Sequence, residues 1–163
     1  MASILRLRQE DRLVSKPRTF SRIVVAVDSS AASERAVELA LSLAAGGDHT
    51  EVIFAHVIDV PRMIARADPL ANDYDLALEA ARDRARDLLD RCLADAERAG
   101  IFGRTCVRYG KPAAEVVTLA RVFGADLIIV GNGPATRVQR FLNGSVRDEI
   151  VRTANVPVLV AHE

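Results

Sequence analysis

A glycine closing an apolar run, and a Gly-Ser pair thirteen residues further on, are the groups in this chain whose type and spacing suit an anion. The stretch from Ala125 to Ser145 reads A-D-L-I-I-V-G-N-G-P-A-T-R-V-Q-R-F-L-N-G-S. Leu127 to Val130 are too few and too β-branched to stand as a helix, and predict a strand buried on both faces. A loop opens at Gly131. Gly144-Ser145 then precedes an apolar-periodic segment, and a helix start offers unpaired backbone N–H groups at the positive end of its dipole. Phosphate suits such a place. A second candidate group, Asp28 followed by Ser29 and Ser30, closes the apolar run R-I-V-V-A-V-D.

The elements that must position these groups alternate between two periods. Arg22 to Asp28 predicts a strand, and Ala31 to Ala45 a helix with Val37, Ala40, Leu41 and Ala44 on one face, capped by Ser29 or Ser30 and ended by Gly46-Gly47. Glu51 to Ile58 predicts a second strand. Asp59 to Asn72 holds two prolines and no clean period, so it predicts a long loop. From Asp73 to Ala99 a long helix places Leu78, Ala81, Ala85, Leu88, Cys92 and Ala96 on one stripe, leaving Arg82, Asp83, Arg86, Asp87, Asp90 and Arg91 as a solvated face. Arg104 to Tyr109 alternates like an edge strand. Pro112 suits the first turn of a further helix with Ala113, Val116, Val117 and Ala120 inward. After the glycine loop come a helix over Ser145 to Ala154 and a strand over Val156 to Ala161. Five alternations of strand and helix predict a parallel sheet covered on both faces, with ligands beyond the carboxyl ends of its strands.

Composition excludes several classes. The chain has 163 residues, half of them hydrophobic, which suits one domain. Lys+Arg and Asp+Glu balance at 22 each, so no overall positive field draws nucleic acid or an anionic membrane. No window has the apolar length of a membrane span, and the first twenty residues lack a signal-peptide core. Residues 1–20 are expected to form a flexible extension, with a basic docking arm as the sharper reading. Cys92 and Cys106 have no zinc-like spacing with each other or with the histidines, and predict reduced thiols in a cytoplasmic protein. His56 predicts a satisfied core or rim histidine. No P-loop, nucleophile elbow or G-x-G-x-x-G after the first strand is present, so no catalytic residue is assigned; slow hydrolysis of a bound ATP, with Asp28 orienting a water, is the most that enzyme chemistry would claim.

The residues around Gly131 carry a resemblance. The chain resembles the universal stress protein family, whose nucleotide-binding members have Gly-x2-Gly-x9-Gly-[Ser/Thr] after the fourth strand. Gly131, Gly144 and Ser145 fall at the first, third and fourth of those places, and V-V-A-V-D-S-S and V-P-V-L-V extend the likeness over Ser21 to His162. The resemblance implies one three-layer, Rossmann-like α/β domain over 21–163, its five parallel strands ordered 3-2-1-4-5. It implies ATP, alone or with Mg2+, or another adenine nucleotide. Ala26, Val27, Asp28 and Ser29 would flank ribose or adenine, and Val57 would offer backbone to the base. Gly131, Asn132, Gly133, Asn143, Gly144, Ser145 and Val146 would frame the phosphates. One place departs: Pro134 stands where the second motif glycine belongs, and it lacks an N–H and a positive φ. Gly133 is then expected to take up the sharp turn. Arg137 and Arg140 in the spacer are placed to lend charge to phosphates, against the plainer reading of solvated loop arginines.

In that strand order the last strand is an edge, and Val158 to Ala161 carry no charge, bulge or proline to discourage pairing. A two-fold dimer through this edge is expected. Two functions follow: a nucleotide-binding stress or signalling protein acting as a dimer, or a nucleotide-independent dimeric interaction module in which Pro134 marks a loop that no longer cradles phosphate.

Overall fold

In a computed structural model of the chain, which describes residues 20–47, 49–66, 74–133 and 145–162, five strands form one parallel sheet in the order β3-β2-β1-β4-β5. The strands are β1 (Arg22–Ala26), β2 (Glu51–Ile58), β3 (Phe102–Tyr109), β4 (Leu127–Gly131) and β5 (Val158–Ala161). The helices are α1 (Ala31–Ala45), α2 (Val60–Arg66), α3 (Tyr74–Arg98), α4 (Pro112–Phe123) and α5 (Val146–Thr153). The expected order and class hold. None of the helices among the described residues is long and apolar enough to cross a membrane.

The sheet is covered because its central strands have no polar face. Ile23, Val25, Val52, Phe54, Leu127 and Ile129 pack with α1 and α3 on one side. Val24, Ile53, Ala55, Ile128 and Val130 pack with α4 and α5 on the other. On α3 the inward stripe is Ala85, Leu89, Cys92 and Ala96. Phe20, just before β1, also packs against the first cluster, and its carbonyl accepts from Thr50 Oγ1 at 2.6 Å. Burial pushes the Cys92 thiol up to about 11 and raises that of Cys106, so both thiols are weak nucleophiles at neutral pH.

One expectation fails. Asp59 to Asn72 is not loop throughout, because α2 fills Val60–Arg66. Asp59 starts it: its Oδ1 accepts the Arg62 N–H at 3.0 Å and its carbonyl the Met63 N–H at 2.9 Å. Pro61 falls in the first turn, where a missing N–H costs nothing. Residues 67–73 lie outside the described residues.

At the opposite end of the sheet Glu51 links three strands. Its side chain is 13% exposed, with Arg22 Nε of β1 at 3.0 Å from Oε2 and Arg104 Nε of β3 at 3.0 Å from Oε1. The Arg104 approach lies off the hydrogen-bond direction, so that contact is electrostatic only. The guanidinium of Arg104 is held over the Phe123 ring, 5.6 Å from its centre. Glu51→Ala leaves two half-exposed arginines facing one another, and a loss of about 1–2 kcal/mol is expected after solvent screening. An unchanged urea midpoint would show that the triad contributes nothing.

Candidate functional site

In a parallel sheet every helix that follows a strand starts at the carboxyl edge, so the starts of α1, α2 and α5 share that edge with the ends of β1, β2 and β4. The strand order reverses between β1 and β4.

The turn after β1 is built by a serine and aspartate network. Ser30 is the N-cap of α1: its Oγ accepts the Ser33 N–H at 3.2 Å and donates to Asp28 Oδ1 at 2.5 Å. The same Oδ1 accepts the Ser30 N–H at 2.9 Å, and Ser33 Oγ accepts the Asp28 N–H at 2.9 Å. Asp28 therefore orients the cap rather than capping α1 itself. One of its carboxylate oxygens is committed to the turn; the exposed side chain leaves Oδ2 for a ligand. Val27 is buried and both its backbone groups are engaged, the N–H with the Ala55 carbonyl at 2.8 Å and the carbonyl with His56 Nδ1 at 2.8 Å. A carbonyl only accepts, so the proton of neutral His56 sits on Nδ1 and Nε2 is left as the acceptor. The satisfied rim histidine expected from the sequence is what stands there.

Gly131 is needed by the fold. A Cβ on it would lie 2.5 Å from the Ala32 carbonyl carbon and 2.9 Å from the Ser33 nitrogen, which belong to the backbone of the first turn of α1. The end of β4 thus touches the start of α1 with no room for a side chain. Gly133 is different: a Cβ there would meet Ala32 Cβ and Ser30 Oγ at an ordinary 3.7 Å, and its φ is not positive. The expectation that Gly133 takes up a sharp turn is corrected, since β4 leaves the sheet there through backbone that any residue can adopt. The Asn132 N–H donates to the Ala161 carbonyl at 2.7 Å and its side-chain amide reaches His162 Nδ1 at 2.8 Å, so Asn132 fastens the loop to the end of β5.

Ser145 is the N-cap of α5, with φ −81° and ψ 134°, and its hydroxyl makes no capping bond. Among the described residues that hydroxyl has no hydrogen-bond partner. Val146 is exposed at the first helical position, and Asp148 and Glu149 occupy the same first turn, where their charge opposes that of an incoming phosphate. The expectations for Pro134, Arg137, Arg140, Asn143 and Gly144 fall outside the described residues.

The cavity at this edge has a volume of about 450 Å³ and lies over the ends of β1 and β2, between α2 and α3, rather than between β1 and β4. Asp28, Ser29 and Val57 line it, and His56, Ile58, Met63 and Leu88 extend its wall. Sequence reasoning missed the rest: Arg62 and Arg66 of α2, and Arg84, Asp87 and Arg91 of α3. Two signals were available. Asp59 before Val60-Pro61 is a helix start, and 84, 87/88 and 91 follow helical spacing. Asp87 and Arg91 are on the cavity wall and not on a face turned wholly to solvent. Among the described residues no three His, Cys, Asp or Glu are grouped to hold a metal ion.

Comparison with known proteins agrees with this geometry. A sequence profile described as "Universal stress protein family" matches residues 19–162. A universal stress protein of Methanocaldococcus jannaschii is 31% identical over 141 residues, which are 86% of this chain and 81% of that one. A crystal structure of a universal stress protein family member from Burkholderia pseudomallei has a TM-score of 0.71 at 28% identity, covering 87% of this chain and 96% of the other. A universal stress protein solved in complex with cAMP has a TM-score of 0.66 at 25% identity, covering 89% and 98%.

Proposed function

The chain belongs to the universal stress protein family, and from that premise we propose that it binds an adenine nucleotide at the carboxyl edge of its sheet and acts as a homodimer in stress response or signalling. The observation that carries the reading is the cavity of about 450 Å³ in which Asp28, Ser29 and Val57 come together, within the size range of small-molecule pockets. The relative solved with cAMP supports an adenine nucleotide as the ligand class. Asp28 Oδ2 would accept from ribose or the base, the Val57 backbone would meet the adenine, and the Ser145 hydroxyl with the adjoining N–H groups would receive phosphate.

Dimer formation rests on β5. This edge strand carries Val158, Leu159, Val160 and Ala161, and nothing among the described residues covers its outer side.

Calorimetry with ATP, AMP and cAMP tests the nucleotide reading on wild-type protein and on Asp28→Asn, which keeps an acceptor for Ser30 but loses the charge. Saturable heat from at least one nucleotide, weakened about tenfold in Asp28→Asn (about 1.4 kcal/mol), is the expected result. Absence of saturable heat from all three would leave the nucleotide-independent interaction module as the function.

A further inference from the structure

Four arginines, two from α2 and two from α3, line the cavity. Arg62 and Arg66 stand one turn apart on α2, about 6 Å along its axis, and Arg84 and Arg91 stand two turns apart on α3, about 10.5 Å along its axis. All four are exposed, and none has an ion-pair partner within 4.0 Å among the described residues. Arg86, Arg121 and Arg152 are likewise exposed and outside the ion pairs of the described residues, so what sets these four apart is that they line one cavity. Arg35 pairs with Glu38, and Arg98 with Asp95, both at i,i+3 spacing. Asp87 stands at i+3 from Arg84 and at i−4 from Arg91, spacings that invite the same pairing, yet it takes neither.

The carboxylates around the cavity do not cancel these charges. Asp28 and Asp59 are committed to the starts of α1 and α2, where backbone N–H groups and the helix dipoles offset them. Among the described residues, Asp87 is the remaining carboxylate of the cavity lining.

We propose that the α2–α3 end of the cavity is an oligophosphate site, distinct from the Gly131 to Ser145 frame. Guanidinium groups bind phosphate oxygens in bidentate pairs, and two rows of them on facing helices suit a ligand with more than one phosphate group. The source is either an inorganic oligophosphate or the tail of a nucleotide whose base sits at Val57. The frame itself is poorly provided for such a charge, since Asp148 and Glu149 occupy the first turn of α5 and Pro134 has no N–H.

The test is titration of the full chain with sodium pyrophosphate at low and at physiological salt. Wild type is expected to give saturable binding that weakens with salt. Arg84→Gln/Arg91→Gln and Arg62→Gln/Arg66→Gln are each expected to lose at least tenfold in affinity with unchanged thermal midpoints. Arg35→Gln/Arg121→Gln, equal in charge but remote from the cavity, is expected to bind as wild type does. No saturable binding, wild-type affinity in either cavity variant, or an equal loss in the remote variant would overturn the proposal. ATP competing with pyrophosphate identifies the nucleotide tail as a source, and independent binding identifies the inorganic ligand; either outcome upholds the site. AMP titrated in parallel separates the two readings: no heat from AMP beside saturable pyrophosphate binding counts against the nucleotide site and not against this one.

Discussion

Gly131→Ala is expected to destabilise the fold by roughly 2–4 kcal/mol, because the added methyl group would lie 2.5 Å from the Ala32 carbonyl carbon and 2.9 Å from the Ser33 nitrogen. Both are backbone atoms of the α1 start, so neither can swing aside as a side chain would. The Ser30, Ser33 and Asp28 network fixes that turn, and the buried β1–β4 pairing fixes the strand. A loss of 3 kcal/mol corresponds to a fall in thermal midpoint of roughly 6–12 °C for a domain of this size. Gly133→Ala is the control, expected to stay within about 0.5 kcal/mol of wild type, since ordinary 3.7 Å contacts await its methyl. Equal midpoints for the two variants would refute the close approach. A nucleotide-binding defect in a Gly131 variant is consequently no evidence for contact between that residue and a ligand, which is why Asp28→Asn is the better probe.

Val160→Pro is expected to convert the proposed dimer to monomer while leaving the fold in place. The Pro157 and Ala161 carbonyls accept from Ile128 and Asn132 of β4, at 3.0 and 2.7 Å. Backbone groups alternate sides along a strand, so those of Leu159 also face β4 and those of Val158 and Val160 face outward. Proline at 160 removes an outward N–H and adds a ring on the pairing edge without touching the β4–β5 ladder. A weakening of at least ~100-fold, about 2.8 kcal/mol, is expected by sedimentation at micromolar concentration, with an unchanged far-ultraviolet spectrum. Persistence of a Val160→Pro dimer, or a monomeric wild type, would remove β5 as the interface. Leu159→Lys is a less clean probe: Leu159 and Val160 each pack against one core cluster, but proline keeps apolar atoms at 160, whereas lysine would bring a charge to the core under α1.

The legible part of this protein is what repeats locally. Val37, Ala40 and Ala44 on α1, and Ala85, Cys92 and Ala96 on α3, follow the helical period and are buried as expected. Leu127 to Val130 are apolar at every position because helices cover both faces of their strand. Loop chemistry was read less well. The two prolines after Asp59 hid α2, although one of them stands where a helix start tolerates it.

By itself the sequence determined the alternation of strand and helix, the parallel sheet and the spacing of Gly131, Gly144 and Ser145, since hydrophobic period and turn residues act over a few neighbours. Only the tertiary structure decided why Gly131 must be glycine, which oxygen of Asp28 is already used, and that arginines of α2 and α3 stand over the ends of β1 and β2. Those facts depend on which backbone meets which across the sheet. Arg62 and Arg91 share a cavity with Asp28 through packing alone, and packing between residues far apart in the chain leaves no periodic trace in it.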